Sequence, residues 1–231
     1  MKKVLFLLAL ATASLSASAQ TKTTTATTQT APAGYQGMMA AAIQELMQTG
    51  EPAALKASAA TFERAATVAP QDWLPRYYQG YALLINVFQS QEEGDVKDKT
   101  LDQAEAALAQ ARKLGGDESE LLALQAYIYQ ARLGVSPMLR SMKYSGMVNE
   151  AIAQAKKANP NNPRPYLIGA NNAFFTPKMF GGGPEVAKPL YEEAKVKFEA
   201  FQPASAIAPD WGKGQLLSRL KNCNTALAAA K

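Results

Sequence analysis

The chain has 231 residues, 24 Lys and Arg against 19 Asp and Glu, one cysteine and no histidine. Without His it cannot build a Ser-His-Asp triad, a Cys-His dyad, a His-ligated zinc site or a His-held haem. One Cys also excludes an intramolecular disulfide.

Met1-Lys2-Lys3, an apolar run from Val4 to Ala11 and the small residues Ala17-Ser18-Ala19 have the layout of a secretory signal peptide over 1–19, cleaved after Ala19. The apolar run falls far short of the ~20 residues that span a bilayer, so no transmembrane segment is expected after cleavage. Removing it leaves 22 basic against 19 acidic side chains, a net charge of +3. The remaining charges alternate in sign along the chain, whereas nucleic-acid binders cluster them on one face; no nucleic-acid partner is expected.

Residues 20–37 carry seven threonines between Thr21 and Thr30 and almost no large apolar side chain. They read as a flexible linker, because they bury too little surface to offset ordering entropy. The folded domain is expected over 38–231. Its Ala, Leu, Gln, Glu and Lys content, without sustained period-2 alternation, predicts helices at 38–48, 53–69, 73–90, 100–114, 118–133, 146–158, 164–175, 185–201 and 211–229. Gly and Pro clusters fall between them, at Gly50 to Pro52, Pro70, Gly115-Gly116, Pro160 to Pro163, Gly181 to Pro184 and Pro209. Cys223, at helical spacing from Leu220 and Leu227, reads as a buried small hydrophobe.

A repeat marks the second helix of each pair. Ser58, Phe62, Ala65, Pro70 share their spacing with Ala104, Leu108, Ala111, Gly116 and with Val148, Ile152, Ala155, Pro160; Ala187, Tyr191, Ala194 keep the first two intervals. In the first helices Tyr77-x-x-Gly80 and Tyr166-x-x-Gly169 pair a ring with a position lacking a side chain. This combination, with the Ala158 to Tyr166 junction, resembles the tetratricopeptide repeat. The resemblance implies an all-α fold, a right-handed α-solenoid of about four TPR-like helix pairs plus a capping helix at 211–229. The units from Pro70 to Gly116 and from Gly116 to Pro160 span 46 and 44 residues against the standard 34. The surplus is expected in loops at Gln91 to Lys99, Gly134 to Gly146 and Thr176 to Pro184, which would emerge together as one binding rim.

The segments Asp72 to Pro75, Pro137 to Tyr144, Thr176 to Gly183 and Pro209 to Lys213 are together similar to a group of exported bacterial TPR-like cell-envelope proteins. That similarity implies a fold and a periplasmic or secreted location, and no reaction.

Three groups of side chains are candidates for binding. Pro137 to Met147 joins three methionines to Arg140, Lys143 and Tyr144, a mixture suited to adaptable contacts. The loop before Pro184 offers Phe180, which either tucks into the core or meets a ligand, and three glycines that could turn backbone N–H groups toward an anion. On the first helices Tyr77 or Tyr78, with Tyr81, Tyr127, Asn171 and Asn172, are candidates to line a groove, one of each adjacent pair being core instead. Acidic pairs such as Glu192-Glu193 fit solvated helix faces better than glycoside cleavage. The resulting expectation is a non-enzymatic scaffold with no cofactor and no metal, holding a protein or peptide partner of the cell envelope on its concave face and rim. Its alternative is a small-molecule or glycan binder with an enclosed pocket. The sequence leaves the oligomeric state open.

Overall fold

The computed structural model describes residues 34–229. The signal peptide expected over 1–19 and most of the linker expected over 20–37 lie outside the described residues. Among those described, the fold is all-α, with nine α-helices, one 3-10 turn and no strand. They are α1 (Tyr35–Gln48), α2 (Pro52–Val68), α3 (Leu74–Gln89), α4 (Gly94–Lys113), α5 (Glu118–Val135), α6 (Pro137–Ala158), α7 (Arg164–Phe175), α8 (Pro184–Ala200) and α9 (Lys213–Ala229), with the 3-10 turn at Lys178–Phe180. None of these helices is long and apolar enough to cross a membrane.

Each helix packs on its neighbours in sequence, and α5 also packs on both α3 and α7. Neighbours run antiparallel. Asn86 near the end of α3 donates to the Pro52 carbonyl at the start of α2 (2.8 Å), and Ser119 at the start of α5 donates to the Ala155 carbonyl near the end of α6 (2.8 Å). The side chains that carry the repeat all face inward: Ser58, Phe62 and Ala65 on α2, Ala104, Leu108 and Ala111 on α4, Val148, Ile152 and Ala155 on α6, Ala187, Tyr191 and Ala194 on α8. Between the tyrosines and the next turn, Gly80 lets α3 approach α4 closely. A Cβ there would lie 3.1 Å from the Ala104 carbonyl oxygen, so even alanine would push the two helices apart. The apolar interior falls into a larger cluster spanning α1 to α6 together with Ile168, Ile207 and Trp211, and a smaller one joining α7, α8 and α9, where Cys223 is buried beside Leu216 and Leu220.

Three helix starts differ from the sequence expectation by more than two residues. Helix α1 begins at Tyr35 rather than residue 38, because the Tyr35 ring is buried and its hydroxyl donates to Asp72 (2.8 Å). Helices α4 and α6 begin at Gly94 and Pro137 rather than 100 and 146. Most of the surplus in these two repeats is therefore extra helical turns, not loop. Pro137 looks like a breaker in sequence, yet at the first helical position its missing N–H costs nothing. The two extensions are fastened to the stack. Asp98 on α4 accepts from Arg132 of α5 (3.2 Å) and from both terminal nitrogens of Arg140 on α6 (2.7 and 2.5 Å). Of the three expected loops, only Thr176 to Pro184 is non-α-helical throughout its interior.

Candidate functional site

Helices α3, α5 and α7 run in the same direction, since residues at their starts meet. Tyr77 on α3 donates its hydroxyl to one Glu120 oxygen (3.0 Å), and Arg164 on α7 donates to the other (2.8 Å), with Glu120 on α5 between them. The connection from α8 to α9 crosses this end of the three helices. Its Trp211 donates the indole N–H to the Tyr77 oxygen (2.9 Å), its Pro209 carbonyl accepts from Arg164, and its Ile207 carbonyl accepts from the Tyr78 hydroxyl (3.2 Å). The Arg164 guanidinium also lies 4.8 Å from the Phe201 ring and 5.4 Å from that of Trp211. Gly212 makes the passage into α9 possible: its φ of 113° lies in the region that favours glycine, and a Cβ would lie 2.6 Å from the Phe198 ring. Arg164 is fully buried and Glu120 nearly so. Burial pushes the Glu120 carboxyl up to about 7, against the lowering pull of Arg164 and the Tyr77 hydroxyl.

Away from this sealed end, the same helices present a run of rings. Tyr81 stacks on Trp211 (4.7 Å between centroids), Trp211 on Tyr127 (6.0 Å), and Tyr127 lies against Phe88 (5.0 Å), which is 43% exposed. Gln215 of α9 donates to the Tyr127 hydroxyl. One turn further along α9, on the same face, the Arg219 guanidinium lies 4.9 Å from the centre of the Phe175 ring. Phe175 is 61% exposed, and Phe174 meets it edge-on at 5.1 Å. Phe88, Tyr127, Gln215, Arg219 and Phe175 thus form one strip running from the end of α3, across α5 and α9, to the end of α7.

Further apolar side chains stand in water where first helices pass into second ones. Beyond Phe175 come Met179 and Phe180, 82% and 71% exposed; in the added turns of α6, Met138 and Met142 are 95% and 98% exposed, with Leu139 between them. Monomeric proteins rarely leave large contiguous apolar patches uncovered, and where they do the patch usually marks a binding surface. Burying such side chains at ~25 cal/mol per Å² supplies a driving force that folding itself has left unused.

The structure separates the residues singled out from sequence. Tyr78 is fully buried with its hydroxyl bonded to Ile207, so it lines no open groove. Tyr127 is buried, behind the exposed Phe88 ring at the inner border of the strip. Asn171 is buried and accepts from the Tyr191 hydroxyl (2.8 Å), a structural bond between α7 and α8. Asn172 is half-buried and donates to Asn149 of α6 (3.1 Å). Arg140 is not a free rim cation, because Asp98 neutralises it. Lys143 is exposed and lies 5.1 Å from the Tyr144 ring, which packs on Tyr129. Phe180 stands in solvent instead of tucking into the core. The glycines after it are used in a turn: Gly181 and Gly183 donate to the carbonyls of Lys178 and Ala173, leaving neither N–H for an anion. Sequence reasoning missed Phe88, Phe175, Gln215 and Arg219. Phe88 and Phe175 each sit at a helix end, where a ring has no partner of its own helix beyond it, and that position was the available signal.

Antiparallel helix pairs, a crossing connection that seals one end of the first helices and a strip of rings open at the other define an all-α protein of paired helices. The solved structure of the HusA haemophore from Porphyromonas gingivalis superposes with a TM-score of 0.74 and is 33% identical, covering 84% of this chain and 96% of that one. The chain belongs to the family of that haemophore. No protein-family model and no curated protein matches it.

Proposed function

We propose that this chain is an exported, non-enzymatic binding protein for a flat, largely apolar, carboxylate-bearing porphyrin of the haem class. The observation that carries the proposal is the open strip from Phe88 to Phe175, in a chain one-third identical to a haemophore. Ring faces and thioethers suit the faces of a planar macrocycle, and guanidinium and ammonium groups suit its acidic edge. Because the sequence has no His, iron would take any axial ligand from the thioethers of Met138, Met142 or Met179, or from a tyrosine.

This reading belongs with the smaller-ligand alternative of the sequence, as an open strip rather than an enclosed pocket. A peptide laid along the first helices is disfavoured, since it would need the space that Ile207 and Trp211 occupy. The repeat spacing supports a TPR-like solenoid, and the Lys2 to Ala19 pattern supports export.

Spectroscopic titration of the protein with haem tests the reading. We expect saturable binding at one-to-one stoichiometry, weakened by the double change Phe88→Ser and Phe175→Ser. Absence of saturable binding, or equal binding by the double variant, would overturn it.

A further inference from the structure

The strip ends on a cation whose charge the rest of the described fold does not use. Of the chain's seven arginines, Arg112, Arg132, Arg140 and Arg164 are paired with carboxylates. Arg64 and Arg76 donate to Thr61 and Gln79. Arg219 alone has neither a hydrogen bond nor an ion pair among the described residues, yet it is half-buried. The Phe175 ring under its guanidinium holds the plane in place. Burial raises the pKa of both Tyr127 and Tyr191, and the nearby Arg219 charge offsets part of that rise.

A guanidinium stacked on a ring keeps its N–H edges directed outward in a rigid fork, the geometry that takes a carboxylate by two parallel hydrogen bonds. Gln215 lies one turn back from it on the same face of α9, beside Tyr127. A planar apolar ligand lying on the strip would therefore have its acidic edge beside a cation already fixed and partly desolvated.

Resting on the porphyrin reading, we propose that Arg219, stacked on Phe175, is the carboxylate subsite of this binding strip and sets its preference for acidic over neutral macrocycles. The test compares wild type, Arg219→Gln and Arg219→Lys, each with haem and with its neutral dimethyl ester, after circular dichroism has shown equal helix content. Charge-assisted hydrogen bonds imply that Arg219→Gln binds haem about tenfold or more weakly. The ester should bind all three proteins alike, and Arg219→Lys should fall between the others for haem, since an ammonium supplies charge without the fork. The haem preference should shrink as salt is raised. Undiminished haem binding by Arg219→Gln overturns the subsite and leaves the porphyrin reading standing. Equal losses for haem and ester also overturn it, by showing that Arg219 acts only through packing. If wild type binds neither compound, the porphyrin reading and the subsite fall together.

Discussion

At their amino-terminal ends α3, α5 and α7 are closed by their own chain: Trp211, Pro209 and Ile207 cover Tyr77, Tyr78 and Arg164, and the rings of Tyr77, Tyr78 and Trp211 are buried. At the carboxyl-terminal ends of α3 and α7, Phe88 and Phe175 stand partly in water, with Met179 and Phe180 following. Both regions are built from aromatic side chains and an arginine stacked on rings. They differ in what satisfies the charge and covers the rings. Arg164 has Glu120 and a carbonyl; Arg219 has only the face of Phe175. A charge sealed with its partner fixes the packing of three helices, whereas a charge held in place without one is available to something that arrives.

The largest expected effect breaks the sealed end. Above about pH 7, where Glu120 is ionised, Arg164→Met leaves that carboxylate buried and without its counter-charge and should cost about 3–5 kcal/mol in urea denaturation; a loss below about 1 kcal/mol there would show that the hub does not hold the crossing segment. Next comes the pH response. The folded protein keeps the Glu120 proton up to about pH 7, while an unperturbed carboxyl releases it near 4.5. Unfolding is then favoured more with each step upward, so stability falls, on the order of 3 kcal/mol, as pH rises through that window. Thermal melts of wild type should decline between those limits, and Glu120→Gln should melt lower at acid pH but with a flatter profile.

Smaller effects belong to the open end. Phe175→Ser should shift stability by no more than about 0.5 kcal/mol, because the ring is mostly in water, while weakening haem about fivefold or more in titration. A destabilisation above about 2 kcal/mol would assign Phe175 to the core instead. The smallest stability change is expected for Met138→Ser combined with Met142→Ser, within about 0.5 kcal/mol by denaturation. If the pair also changes the absorption spectrum of bound haem, a thioether ligates the iron.

Much of the scaffold was legible beforehand. The spacing of Ala104, Leu108 and Ala111 and its three counterparts named the side chains that would be buried, because a helix of 3.6 residues per turn puts them on one face. The starts of α4 and α6 were misplaced because Gly94 and Pro137 are breakers only in the interior of a helix. Of the binding residues proposed from sequence, Arg140 and Tyr78 had suitable chemistry, but Asp98 and Ile207 engage them from 42 and 129 residues away. No local pattern carries such pairings.

What the sequence by itself determined is the all-α character, the helix pairing and the absence of His chemistry, since periodicity and composition act within one or two turns. What only the tertiary structure decided is which rings and cations remain free. Tyr78 and Phe175 are both aromatic residues on first helices, and Arg164 and Arg219 are both arginines stacked on rings. The path of residues 201–212 covers one of each and leaves the other open, because a charge or a ring becomes a binding group only where the rest of the chain has left it without a partner.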